Sequence, residues 1–170
     1  MKKAFISVYT LIVLFIISLT ITYIYNQQKN SASYAKGLYE KKQAQYLAES
    51  IMNSFMEENS DQVAKIILKH YDDQEKKKNN EGITNDEIKT ESLESLPYTY
   101  KDKKYNIHIS RIGNRARKEI NGLYLIFLNR VSVGESKADS EIYIKVFDKI
   151  DEKDEEFDKN RLRIEIRHTY

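Results

Sequence analysis

An uncharged run from Ala4 to Gln28, preceded by Met1, Lys2 and Lys3, constrains this chain more than any other stretch. Its apolar core, Phe5 to Ile24, matches the roughly 20 residues that a helix rising about 1.5 Å per residue needs to cross about 30 Å of hydrocarbon. A secretory signal has an apolar core of about 7 to 15 residues and then a small-x-small cleavage site. Here the run ends in Tyr25-Asn26-Gln27-Gln28, without such a site. The sequence therefore predicts a membrane-spanning helix over 5–26, preceded by Met1-Lys2-Lys3-Ala4.

Composition bounds the remainder. The 170 residues leave room for one modest domain beyond the span, and 28 Lys plus Arg against 26 Asp plus Glu give no overall attraction to polyanions. Bulk nucleic-acid binding is not implied. The chain has no cysteine, so no disulfide can staple an exported domain and no thiolate can act as nucleophile or metal ligand. Stability has to come from packing.

From Lys29 to Tyr71 there is no proline and one glycine, Gly37, among many Ala, Glu, Gln, Lys and Leu residues, all good helix formers. This predicts that the membrane helix continues outward over 27–71. Ala44, Leu47, Ala48, Ile51, Met52 and Phe55 recur at spacings of three and four, a stripe wide enough to cover a sheet. A heptad seam through Leu38 and Phe55 would instead hold Lys41, Gln45, Asn59 and Gln62, which argues against a coiled coil. The charged and Ser/Glu/Thr-rich stretch 72–97 reads as a variable, solvated loop.

Beyond Pro97 the period changes to two. Tyr105, Ile107 and Ile109 alternate with polar residues, as do Ile142, Ile144 and Val146, and Leu162, Ile164 and Ile166. Leu123 to Leu128 is apolar throughout, as in a central strand covered on both faces. The expected fold is α+β: a long helix packed on about four antiparallel strands over 98–170. Leu47, Ile51 and Phe55 are expected to face Ile142, Ile144 and Ile164. The other face of the sheet would then present Tyr143 and Phe147 beside apolar residues of 123–128, either as a partner surface or covered by Leu93 and Leu96 folding back.

Catalytic groupings are thin. His70, His108 and His168 have no metalloprotease spacing, and neither a nucleophile elbow nor a glycine-rich phosphate loop occurs. The expectation is a non-enzymatic protein with no cofactor. Asp154, Glu156, Asp158 and Asn160 fall on alternate positions, with Glu165 where a calcium loop places its bidentate carboxylate. Lys159 stands where such a loop needs glycine, so a charged hairpin loop is the competing reading. Arg111, Arg115, Arg117 and Lys118 form a basic cluster without interleaved aromatics, the pattern of a solvated turn.

A short basic leader, a small residue, then Phe and an apolar helix running into a soluble helix and a sheet resembles type IV pilins and pseudopilins. The resemblance implies that residues 1–4 are a leader peptide, that a prepilin peptidase cuts between Ala4 and Phe5, and that it N-methylates Phe5. Gln45-Tyr46-Leu47-Ala48-Glu49-Ser50-Ile51 is similar to the Ala-Glu signature after the apolar helix in PilX-like minor pilins. The likeness lies at motif level over about 1–55, and it is architectural beyond. Two positions depart from the family: Ala4 replaces the usual glycine, and Tyr9 stands where major pilins carry the glutamate that pairs with a neighbour's terminal amine. PilX-like minor pilins and the K-type minor pseudopilin of type II secretion often lack that glutamate too, so the resemblance implies a priming or tip subunit.

The implied partners are other pilin subunits, the assembly platform, the prepilin peptidase and the cytoplasmic membrane. The implied location is single-pass with the C-terminal domain extracytoplasmic. Lys29, Lys36, Lys41 and Lys42 outnumber Lys2 and Lys3, so a positive-inside count opposes that orientation; the resemblance is followed. The rival readings are a bitopic scaffold like the small cell-division proteins, with an extracytoplasmic helix, and a membrane-tethered enzyme.

Overall fold

The structure, a computed structural model, describes residues 2–81, 90–113, 122–147 and 159–170. It divides into two compact units, Met1–Glu40 and Lys41–Tyr170, and the helix α1 (Lys2–Glu81) contributes to both.

In the first unit, every residue from Val8 to Tyr39 is exposed. Apolar side chains point in all directions around α1, with Leu11, Phe15 and Ile21 each more than 60% exposed. Such all-round apolarity is the pattern of a membrane span or of a helix buried by other protein. Among the described residues α1 is the one helix long and apolar enough to span a bilayer. Three of its hydroxyls, those of Thr10, Thr20 and Thr22, each donate to the carbonyl four residues back at 2.9 Å.

The second unit packs the rest of α1 on one five-stranded antiparallel sheet, ordered β1 (Glu91–Tyr100), β2 (Lys103–Arg111), β3 (Leu123–Val133), β4 (Ser136–Val146) and β5 (Leu162–Thr169). Ala44, Ala48, Ile51, Met52, Phe55, Val63, Ile67 and Leu68 are buried against the inner face. That face supplies Leu96 and Tyr98 of β1, Ile107 and Ile109 of β2, Tyr124, Ile126 and Leu128 of β3, and Ile142, Ile144 and Val146 of β4. Phe55 meets Tyr98 edge-on, ring centroids 5.5 Å apart. Gly122 precedes β3 at φ 92°, where a Cβ would lie 2.8 Å from Tyr71 Cε2 and 3.0 Å from the Val146 carbonyl oxygen, so only glycine fits between helix and sheet.

The α+β class stands, with three corrections. The helix does not stop at Tyr71: neither Gly nor Pro occurs between Gly37 and Gly82, and Asp72 is held by Arg161 Nη2 at 2.8 Å. Among the described residues the sheet has five strands, because the end of the expected loop 72–97, from Glu91 on, joins the residues after it to form β1. Leu93, Leu96, Tyr98 and Tyr100 of that strand turn inward while its other side faces water. Pro97 is tolerated because β1 is an edge strand. Ile164 is not core: a bulge against Tyr143/Ile144 re-aims β5, leaving Ile164 41% and Ile166 56% exposed.

Candidate functional site

The outer face of the sheet is the most distinctive surface of the second unit. Strand alternation places Leu123, Leu125 and Phe127 of β3 and Glu141, Tyr143 and Lys145 of β4 outward, half-buried, opposite the buried Tyr124, Ile126, Ile142 and Ile144. Leu93 and Leu96 do not fold back over it: Leu96 enters the core opposite Ile107, and Leu93 packs beside it.

Register arranges this face in three rows across the strands. The middle row is Ser110, Leu125, Tyr143 and Ile166; one flank is His108, Phe127, Glu141 and His168; the other is Leu123, Lys145 and Arg163. The first flank is acidic at its centre, where the Glu141 carboxylate accepts from Tyr143 Oη at 3.0 Å and from Tyr170 Oη at 2.6 Å. Those bonds push Tyr170 up to about 12, and burial with the same carboxylate raises Tyr143. His108 stacks on Phe127, centroids 4.9 Å apart. On the basic flank, Lys145 Nζ lies 5.3 Å from the ring centroid of Phe147.

A second feature was hidden in the sequence. His70 of α1 shares a hydrogen bond through Nδ1 with the fully buried Tyr124 hydroxyl at 3.0 Å. Its Nε2 is buried without a hydrogen-bond partner among the described residues, 3.5 Å from Glu91 Oε2. Desolvation lowers the His70 pKa, only partly offset by Glu91, and it raises that of Tyr124. Nearby, Arg161 is 5% exposed, holds Asp72 with both terminal nitrogens and lies over the Tyr71 ring. Both clusters join α1 to the sheet as polar clamps. Residues 54 and 89 positions apart come together here, a pairing that no local pattern signals.

The remaining expected site residues fall as follows. In the Leu47–Ser50 motif, Leu47 and Ala48 pack inward and Glu49 and Ser50 are exposed. Glu49 lines an open cleft of about 240 Å³ with Met52, Asn53, Ser140, Ile142 and Arg167, where Arg167 Nη1 donates to Asn53 Oδ1 at 2.7 Å. Tyr9 is 66% exposed. Ala4 and Phe5 lie within α1. Of the calcium candidates, Asp154, Glu156 and Asp158 lie outside the described residues, as do Arg115, Arg117 and Lys118 of the basic cluster. Asn160 is in a 3-10 turn and Glu165 on β5, where the strand holds its carboxylate 3.7 Å from Arg163 Nε. Among the described residues no group of three His, Asp or Glu side chains could hold a metal ion.

No family model, curated protein or solved structure matches this chain.

Proposed function

We propose that this chain is a minor pilin or pseudopilin, a non-enzymatic structural subunit of a type IV pilus or a related secretion or uptake filament. The observation that supports it is α1 itself: uncharged from Ala4 to Gln28, exposed from Val8 to Tyr39, then buried along one stripe on an antiparallel sheet. Such a helix has two uses, as membrane anchor first and as filament core later. In this reading the subunit is single-pass with its sheet domain outside the cytoplasmic membrane, and its partners are other pilins, the assembly platform and the prepilin peptidase.

Processing tests it. Intact-mass measurement of protein extracted from membranes of peptidase-containing cells is expected to give a chain that begins at N-methylated Phe5. A chain retaining Met1 to Ala4 overturns the reading and leaves a bitopic membrane scaffold as the alternative.

A further inference from the structure

We infer that the cleft between α1 and β5 binds a free α-amino acid with an apolar side chain, its ammonium on Glu49 and its carboxylate on Arg167. The cleft lies wholly within the second unit. Glu49, Met52 and Asn53 stand at i, i+3 and i+4 on one face of α1. Ser140 and Ile142 of β4 alternate onto the inner face of the sheet, and the register sets Thr169 of β5 beside Ser140 and Arg167 beside Ile142. At this end of β5 the positions turned toward the helix carry Arg and Thr instead of apolar side chains. Helix and strand do not close on each other there, and a space of about 240 Å³ remains.

The two charges that line this space do not meet. Glu49 is exposed and, among the described residues, forms no ion pair. Arg167 Nη1 donates to Asn53 Oδ1 at 2.7 Å. Asn53 lies one turn beyond Glu49, about 6 Å along the helix face, so it draws the guanidinium away from the carboxylate and holds the two charges apart. Among the described residues Nε and Nη2 of Arg167 are left to donate. The hydroxyls of Ser140 and Thr169, 3.1 Å apart, spend one hydrogen on each other and keep one to give.

This set of groups selects its ligand by charge and by size. A dianion would be repelled by Glu49 and a dication by Arg167, whereas a zwitterion satisfies both. In an α-amino acid the ammonium and the carboxylate hang on one carbon. With a hydrogen bond at each end such a molecule spans roughly 8 Å, enough to cross the turn that separates Glu49 from the Asn53–Arg167 pair. Its carboxylate can take the two remaining guanidinium nitrogens side by side and the spare hydroxyl hydrogen, while Met52 and Ile142 offer apolar surface to its side chain. The space is smaller than the roughly 300–1,000 Å³ that drug-sized ligands fill. The site is independent of the filament reading.

Isothermal titration calorimetry of the full-length protein in detergent, with L-leucine as the probe, tests the site. L-leucine is expected to bind. N-acetyl-leucine and leucine amide, each lacking one of the two charges, are expected to bind at least about tenfold more weakly. Glu49→Gln removes the carboxylate from an exposed position, so the ligand-free protein should melt as the parent does. Its affinity for leucine should nevertheless fall about tenfold, and the preference for leucine over N-acetyl-leucine should vanish. Arg167→Gln is expected to remove the preference for leucine over leucine amide in the same way. The proposal is overturned if L-leucine does not bind or if either blocked derivative binds as tightly. It is equally overturned if Glu49→Gln binds leucine as the parent does.

Discussion

At Phe55 the helix meets the sheet most tightly: the ring is 1% exposed and edge-on to Tyr98. Phe55→Ala removes that contact and leaves a cavity bounded by β-strands that cannot close up. It should cost about 3–5 kcal/mol, comparable to the whole stability of a modest domain. Thermal melting of the full chain in detergent is the measurement, and an unchanged midpoint would show that the helix does not pack as described. His70 makes a different prediction. Burial holds its pKa below 6.5 in the folded state, with Tyr124, Glu91, Asp73 and Arg111 as the groups that face it. The unfolded chain therefore binds the proton first, and His70 draws stability away as pH falls from about 6.5 through the depressed folded value. Above 6.5 both states are neutral and the effect vanishes. The loss of melting temperature between pH 7.5 and pH 5 should accordingly be smaller in His70→Gln than in the parent chain. Phe55 was legible from its three-and-four spacing; the His70–Tyr124 bond was not, because its geometry depends on where β3 lands beneath the helix.

Among the elements, those with a repeating apolar face could be read directly. α1 announced itself through the uncharged run and then the Ala44–Phe55 stripe, β2 and β4 through period-two alternation, and β3 through the unbroken apolar run Leu123 to Leu128. β1 was missed because an edge strand with one wet face is mostly polar, and Pro97 reads as a break when pairing is unknown. The outward rows were half legible: the residue types were visible, but their alignment depends on bulges. One lies between Leu128 and Val131, where Arg130 takes φ 56° and its amide donates to Asp139 Oδ1 at 2.6 Å; the other re-aims β5. The β1–β2 turn is another place where local chemistry and conformation disagree. Lys101 and Asp102 both adopt left-handed conformations, φ 46° and 65°, the pattern of a two-residue turn that favours Asn-Gly. Replacing the pair by Asn-Gly should relieve about 1–2 kcal/mol of backbone strain and raise the melting midpoint. A lower midpoint would mean that the Lys101 contact with the Tyr100 ring outweighs the backbone term.

At the scale of the whole molecule, the filament reading makes Tyr9 the deciding residue. A helix packed among neighbours in an apolar core has to satisfy its terminal amine, and a charge left unpaired at the centre of hydrocarbon costs at least about 2.5–3.5 kcal/mol on insertion scales. A subunit inside a helical stack supplies a carboxylate to the amine of the next. This chain has no acidic residue before Glu40, so its apolar segment cannot supply one. Repeated along a filament, that deficit would recur at every step; at one end it arises once or not at all. The subunit should therefore be scarce relative to the major pilin and confined to a tip, and deleting it should reduce the number of filaments without changing their diameter. Immunogold labelling of sheared filaments with an antibody to the sheet domain checks this directly. Label at one end is the expected result. Label spread evenly along the length would place Tyr9 inside the stack and require another group to satisfy the amine. In that case Tyr9→Glu should enhance incorporation, whereas for a tip subunit it should carry the label from the end into the shaft.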